Sequence, residues 1–184
     1  MNGIASILDA PAAGRVEEIW RELEVRCGLT GVKITPFPHF SWQVAEEYDI
    51  PALESALQEV VRTARPFPVR TTGLGLFTGD KPILHVPLVK DRELLEFHAL
   101  LWEATRACAI GAQPYYVPEA WMPHITLAYG DVTSANLDCA MQFLAFQSFD
   151  WEIRVDNLIF IAQSDGATVE ACRYRFGEEA GSRL

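Results

Sequence analysis

Positively charged residues are scarce in this sequence. Its 184 residues include 15 Lys and Arg against 25 Asp and Glu, a formal net charge of −10 at pH 7. Non-specific affinity for long nucleic acids comes mainly from Lys and Arg side chains that neutralise phosphates. The composition therefore argues against a long nucleic-acid groove, but it is compatible with a small nucleotide or an RNA end held in a locally positive pocket.

Long hydrophobic runs and closely spaced cysteines are also missing. No stretch approaches the roughly 18 apolar residues that cross a membrane, and the segment MNGIASILDAPAAG has no positive region of the signal-peptide kind. Cys27, Cys108, Cys139 and Cys172 form no CxxC pair, which leaves no zinc-ribbon or redox spacing. We therefore expect a cytoplasmic protein with no membrane partner and with cysteines mostly buried as small hydrophobic residues.

Glycine-rich phosphate loops and metal-binding clusters are absent as well. Gly73 and Gly75 form only a GxG within a strand-like run, which is more typical of a kinked or closely packed strand than of a dinucleotide fingerprint. No HExxH or other ligand cluster occurs. The sequence predicts no metal and no cofactor.

Apolar residues make up 49% of the chain, and their spacing predicts the same series of elements twice. The first series has strands or extended segments at 3–8, 32–45 and 67–77 and helices at 13–27 and from Pro51. The second has them at 83–89, 121–129, 151–162 and 167–176, with helices at 91–107 and 134–145. We expect one monomeric domain over residues 1–184, built of two pseudo-symmetric halves, about 1–80 and 81–184.

Two turn-like segments favour antiparallel sheets. Thr78-Gly79-Asp80-Lys81 ends the first series, and Ser164-Asp165-Gly166 separates the last two strands, as in β-hairpins. A parallel doubly wound sheet is disfavoured, because no glycine-rich strand-to-helix turn accompanies the alternation of strands and helices.

The middle strand of each half carries the same pattern, PHFSW at 38–42 and PHITL at 123–127. Side chains alternate between the two faces of a strand. The histidine and the hydroxyl residue of each copy therefore share one face, and the apolar residues share the other. If the halves pack about a pseudo-twofold axis, four polar residues meet in one cleft: His39, Ser41, His124 and Thr126.

Two histidines and two hydroxyls around one small volume suit the cleavage of a phosphodiester by in-line displacement. With an unperturbed pKa of about 6.5, a neutral imidazole can take a proton from the attacking water and a protonated one can give a proton to the leaving oxygen. The hydroxyls of Ser41 and Thr126 can donate hydrogen bonds to non-bridging phosphate oxygens. The sequence leaves open which histidine is the base.

Two His-x-Ser/Thr motifs in matched positions resemble the 2H phosphoesterase superfamily, which includes 2′-5′ RNA ligase-like proteins and RNA 2′,3′-cyclic phosphodiesterases. The string WMPHITLA is especially similar. The resemblance implies an α+β, duplicated, two-lobed fold with antiparallel sheets lining a central cleft and helices on the outside. It also implies that His39 and His124 are catalytic, that Ser41 and Thr126 bind phosphate, and that 2′,3′-cyclic phosphates are hydrolysed to 2′-phosphates without a metal.

Further substrate contacts are expected around the motifs. By strand parity, Phe37 and Gln43 share the cleft face, where Phe37 can stack a base and Gln43 can form hydrogen bonds. Tyr115 and Tyr116, in the loop QPYYVPEA, are candidates for the cleft mouth. His85 and His98 have no repeated context and are expected to be structural.

Three alternatives stay open. One is a non-catalytic module that binds an RNA end or a nucleotide. Another is a different phosphoesterase, which cleaves or joins 2′-5′ linkages or acts on an ADP-ribose cyclic phosphate. The third is a metal-dependent hydrolase. In each phosphoesterase or binding hypothesis the partner is a small nucleotide or an RNA end.

Overall fold

The computed structural model describes residues 2–164 and 167–177. The described residues form four α-helices: α1 (Ala10–Cys27), α2 (Ile50–Thr63), α3 (Arg92–Thr105) and α4 (Leu137–Leu144). Their strands are β1 (Asn2–Ile7), β2 (His39–Ala45), β3 (Glu47–Tyr48), β4 (Phe67–Arg70), β5 (Gly75–Phe77), β6 (Ile83–Pro87), β7 (Ala109–Ile110), β8 (His124–Ala128), β9 (Glu152–Val155), β10 (Asn157–Ser164) and β11 (Ala167–Arg175). Within this part of the chain, no helix is long and apolar enough to span a bilayer.

Aspartate side chains begin three of the helices. Asp9, Asp49 and Asp91 each accept a hydrogen bond from the backbone N–H three residues further on, which satisfies a donor that the helix itself leaves unpaired. Helix α1 ends where Gly28 adopts a φ of 70°, a left-handed conformation that glycine adopts without a Cβ penalty. These local signals explain why the helices lie close to their predicted positions.

Seven strands form one antiparallel sheet, with the motif strands next to each other near its centre. The strand order is β11-β10-β1-β2-β8-β6-β5, and two smaller sheets pair β3 with β7 and β4 with β9. Helices α1 and α4 pack together behind β8, while α2 and α3 pack behind β2, β10 and β11. The predicted α+β class with antiparallel sheets is confirmed.

Strands from the two sequence halves are interleaved in this sheet. Strands β10 and β11 extend the sheet from β1, and β5 pairs with β6. The predicted strands 67–77 and 151–162 each divide in two, because β4 and β9 leave the main sheet and pair with each other. The segment 32–45 begins as a 3₁₀ helix, Gly31–Ile34, and becomes a strand only at β2. The division of the domain near residue 80 stays a prediction.

The hairpin expected at residues 164–166 lies partly outside the described residues. Strands β10 and β11, on its two sides, are paired in antiparallel register up to Ser164 and Ala167.

Cys27 and Cys139 form a disulfide bond, with their Cα atoms 5.8 Å apart. The bond joins the last residue of α1 to α4 across a sequence separation of 112 residues, and no local pattern marks it. The expectation that the cysteines are mostly buried, unpaired residues is therefore wrong for this pair. Cys108 is free and buried, and Cys172 is free and half-buried.

Candidate active site

The two motif strands meet at one residue pair, Phe40 on β2 and Ile125 on β8. Both side chains are buried in the core. Their sequence neighbours therefore project from the opposite, open face of the sheet, where all four motif residues are half-buried. Extending this antiparallel register by one residue in each direction places Ser41 across from His124, and His39 across from Thr126, on the open face.

The two histidines occupy diagonal corners of this group of four. Directly opposed side chains in an antiparallel pair have Cβ atoms about 4.5–5.5 Å apart, and diagonal neighbours are about 7–8 Å apart. A phosphate over the centre of the group can meet an imidazole at two opposite corners and a hydroxyl at the other two. The arrangement suits in-line displacement, because the attacking and leaving oxygens lie on opposite sides of phosphorus.

Each motif histidine has one ring nitrogen bonded to the backbone. Nδ1 of His39 lies 3.0 Å from the Phe37 carbonyl oxygen, and Nδ1 of His124 lies 2.7 Å from that of Met122. A carbonyl can only accept, so Nδ1 carries the proton in the neutral ring and Nε2 is left to accept one. The same arrangement in both motifs orients both Nε2 atoms for proton transfer.

Burial lowers the pKa of both histidines. For His39, burial is the largest cause, the bond to the Phe37 backbone opposes it, and the charge on His124 lowers the pKa further. For His124, burial lowers the pKa and the bond to the Met122 backbone raises it by less. Because the charge on His124 disfavours protonation of His39, the two rings do not titrate independently.

A third histidine, His85 on β6, borders the site. It lies opposite Thr126 in the register between β6 and β8, and its ring centroid is 5.2 Å from that of His124. Phe77 stacks on His85 at 4.0 Å and meets His124 edge-on at 4.9 Å. Phe77 and His85 therefore flank one side of the His124 ring.

His85 is a weaker base than an ordinary histidine. Burial, followed by the charge of His124, lowers its pKa to about 4. Sequence reasoning missed this neighbour of the site, because a histidine without a repeated motif gives no signal. Only the pairing of β6 with β8 brings it to His124.

Gly75 on β5 provides the space for the His85 ring. A Cβ at Gly75 would overlap Nε2 of His85, which agrees with the closely packed strand expected from the GxG pattern.

Among the described residues, no group of three or more His, Cys, Asp and Glu side chains could hold a metal ion.

We expect Gly75→Ala to destabilise the protein by about 1–3 kcal/mol, the usual range for overpacking in a filled site. Gly14→Ala is the matched control, because a Cβ at this exposed helical position meets nothing within 4 Å. It should instead stabilise the protein by about 0.5–1 kcal/mol. Urea unfolding of both variants measures the two changes in the free energy of unfolding. Equal changes in the two variants would contradict the close packing of His85 against Gly75.

A cavity of about 190 Å³ opens beside His39 and Ser41. His39 and Ser41 themselves line it, and its apolar lining includes Ile34 and Ile161, with the ring of Tyr129 beside them. The polar lining residues beyond the motif are Asn2, Thr35, Gln163 and Thr168. Within the described part of the chain, no Lys, Arg, Asp or Glu lines this cavity.

A β-bulge corrects the expected orientation of Gln43. The register between β1 and β2 shifts between Ile4 and Ala5, so that Trp42 is an extra residue in β2. An extra residue reverses the alternation of side chains beyond it. Val44 therefore lines the cavity, while Gln43 is 1% exposed and its amide has no hydrogen-bond partner among the described residues. Gln43 does not lie on the cleft face.

Of the other predicted substrate contacts, Phe37 and Tyr116 lie next to the motif residues, whereas Tyr115 is exposed to solvent. The Phe37 ring is 5.6 Å from that of His39, so Phe37 does border the motif. Tyr115 is 73% exposed, and its contact with a substrate stays a prediction. The loop residue that reaches the motif is Tyr116: burial raises its pKa, and a hydrogen bond with the Ser41 side chain lowers it by less.

Solved structures with this fold include three that match nearly the whole chain. The crystal structure of TT0787 of Thermus thermophilus has a TM-score of 0.65 at 18% identity, covering 97% of this chain and 98% of that one. E. coli LigT complexed with 3′-AMP gives 0.56 at 16% identity, covering 96% and 98%. Usb1 of Kluyveromyces marxianus gives 0.52 at 10% identity, covering 91% and 95%. At these identities the likeness shows a shared fold.

Sequence comparison supplies the family. No curated protein matches the chain significantly. The sequence profile of the 2′-5′ RNA ligase superfamily, however, matches residues 9–167, a range that contains both motifs and all four helices. The chain therefore belongs to the 2′-5′ RNA ligase superfamily, the group of 2H phosphoesterases that its paired motifs resemble.

Proposed function

We propose that this protein is a metal-independent phosphoesterase that hydrolyses 2′,3′-cyclic phosphates of nucleotides or RNA ends to 2′-phosphates. The observation that carries the proposal is the diagonal placement of His39 and His124, with Ser41 and Thr126 at the other two corners. Membership of a superfamily named for 2′-5′ RNA ligation supports a phosphodiester substrate. The E. coli LigT structure with bound 3′-AMP supports a nucleotide as the ligand.

In the proposed reaction, one imidazole Nε2 takes a proton from water, and the water oxygen forms a bond to phosphorus. The bond from phosphorus to the 3′-oxygen breaks, and the other, protonated imidazole gives its proton to that oxygen. The phosphate stays on the 2′-oxygen. Ser41 and Thr126 donate hydrogen bonds to the non-bridging oxygens, where negative charge is concentrated.

The cavity beside His39 suits the nucleoside part of such a substrate. Its amide and hydroxyl side chains can form hydrogen bonds with the edge of a base or with a ribose, and its apolar walls can cover a flat ring. Because the described lining contains no Lys or Arg, a second phosphate group would find no permanently charged partner there. This feature favours a mononucleotide, or the last nucleotide of an RNA, over a polyphosphate.

The deciding test is hydrolysis of the four nucleoside 2′,3′-cyclic monophosphates in excess EDTA, with the phosphate isomer identified by ³¹P NMR. We expect turnover to a 2′-phosphate alone. Turnover that requires added Mg²⁺ or Zn²⁺ would replace the proposal with the metal-dependent alternative. Binding without turnover would replace it with the nucleotide-binding module.

Cleavage or joining of a 2′-5′ linkage is the second candidate function, and the family description favours it. The same histidines would serve, because cleavage of that linkage also requires a proton acceptor and a proton donor on opposite sides of phosphorus. A 2′-5′-linked dinucleotide assayed beside the cyclic nucleotides distinguishes the two candidates by the ratio of their kcat/KM values.

We expect kcat/KM to follow a bell-shaped pH profile with its maximum below pH 6.5. One histidine must be neutral and the other protonated, and burial places both pKa values below the ordinary value of about 6.5. Activity falls at higher pH as the acid loses its proton, and at lower pH as the base gains one. Initial rates from about pH 4 to about pH 9 check the profile, and a maximum above pH 7 would contradict the lowered pKa values.

A further inference from the structure

An indole N–H is bonded to the backbone of each motif strand. Nε1 of Trp121 donates to the Ser41 carbonyl oxygen at 3.0 Å. Nε1 of Trp20, on α1, donates to the Thr126 carbonyl oxygen at 3.0 Å. Both tryptophans are buried, and both acceptors belong to the hydroxyl residues of the two motifs.

These two carbonyls occupy equivalent positions beside the point where the strands meet. Strands β2 and β8 are paired at Phe40 and Ile125, and Ser41 and Thr126 each follow a member of that pair. In a continuous antiparallel ladder, carbonyls along the shared edge accept from the neighbouring strand. Where β2 and β8 separate, an indole supplies the donor, because a carbonyl buried without one costs about 1–3 kcal/mol.

Neighbouring rings restrict the orientation of Trp121. His98 stacks on it with a centroid distance of 3.8 Å and an interplanar angle of 12°, and Trp42 stacks at 5.2 Å. Nε2 of His98 is itself bonded to the Trp42 carbonyl at 3.1 Å. The adjacent carbonyls of Ser41 and Trp42 on β2 are thus bonded to the stacked rings of Trp121 and His98, which both lie outside the strand.

We propose that Trp20 and Trp121 are positioning residues that fix how far β2 and β8 separate, and thereby fix the diagonal distance between His39 and His124. Both indoles are buried and both N–H groups are bonded to backbone carbonyls, so neither takes part in proton transfer. The inference rests on the proposed phosphoesterase function for its kinetic test but not for its spectroscopic one.

The test compares Trp20→Phe and Trp121→Phe with the matched control Trp151→Phe. Each change keeps an aromatic ring and removes one indole N–H. Trp151 is the control because its Nε1 donates to the Ser148 carbonyl at 2.9 Å, which lies outside both motif strands. We expect kcat for 2′,3′-cyclic nucleotides to fall roughly 10- to 100-fold in the first two variants, the scale of loss for misplaced reacting groups. In these two variants KM should change less than kcat. Trp151→Phe should lower Tm about as much as they do, but its kcat should stay within about twofold of the wild-type value.

Histidine titration by NMR provides a readout that needs no turnover. In the wild type the charge on His124 lowers the pKa of His39, so a changed separation of the strands should change the interval between the two protonation steps. We expect this change in Trp20→Phe and Trp121→Phe and not in Trp151→Phe. If both the titrations and kcat match the control, the positioning role is overturned. If the titrations change but the wild type hydrolyses no tested diester, the positioning role stands and the proposed function fails.

Discussion

Replacing His39 or His124 with alanine is expected to abolish hydrolysis of 2′,3′-cyclic nucleotides while leaving the fold intact. Each proton transfer contributes roughly 10²- to 10⁴-fold to the rate, and the nearest other imidazole, His85, is stacked against Phe77 and has its pKa lowered mainly by burial, so it is a poor substitute for either transfer. Both side chains project from the open face, so their loss removes little core packing. Turnover numbers, together with circular dichroism and Tm, measure the two effects separately.

Two further variants sharpen this test. Groups that act as a unit lose activity non-additively, so the double His39→Ala/His124→Ala variant should be no slower than the slower single variant. His85→Phe keeps a ring beside Phe77 and removes the imidazole, so it should retain far more turnover than either alanine variant. A near-normal rate in His39→Ala or His124→Ala would exclude the paired-histidine mechanism.

Loss of the disulfide between Cys27 and Cys139 is expected to lower the free energy of unfolding by about 2–5 kcal/mol. The bond closes a loop across 112 residues of sequence separation, and a cross-link over so long a loop removes much conformational entropy from the unfolded chain. Such a loss is a large part of the about 5–15 kcal/mol that stabilises a typical domain. Urea unfolding of Cys27→Ala/Cys139→Ala, with and without reductant, measures it.

Cys172→Ala is the matched control for the disulfide, because Cys172 is free. Reductant should destabilise the wild type and Cys172→Ala by similar amounts and should have no effect on the double variant. Titration of the denatured, unreduced wild type should find two free thiols. Finding four, with no effect of reductant on stability, would show that the two sulfurs are near each other but not bonded.

Local chemistry explains why so much of the fold was predictable. An aspartate at a helix start satisfies N–H groups within the next few residues, and apolar spacing reflects which side of a helix or strand is buried. The placement of His39 with Ser41, and of His124 with Thr126, follows from alternation along one strand. None of these inferences depends on distant parts of the chain.

The sequence by itself therefore determined the four helices, the antiparallel class and the paired motifs, because each depends on neighbours along the chain. Only the tertiary structure decided the register that sets Phe40 opposite Ile125, the bulge that turns Gln43 inward, and the approach of His85 to His124. The disulfide and the two indole bonds belong to the same group. Each of these joins segments far apart in sequence, and such pairings depend on how whole elements pack together, which no local pattern records.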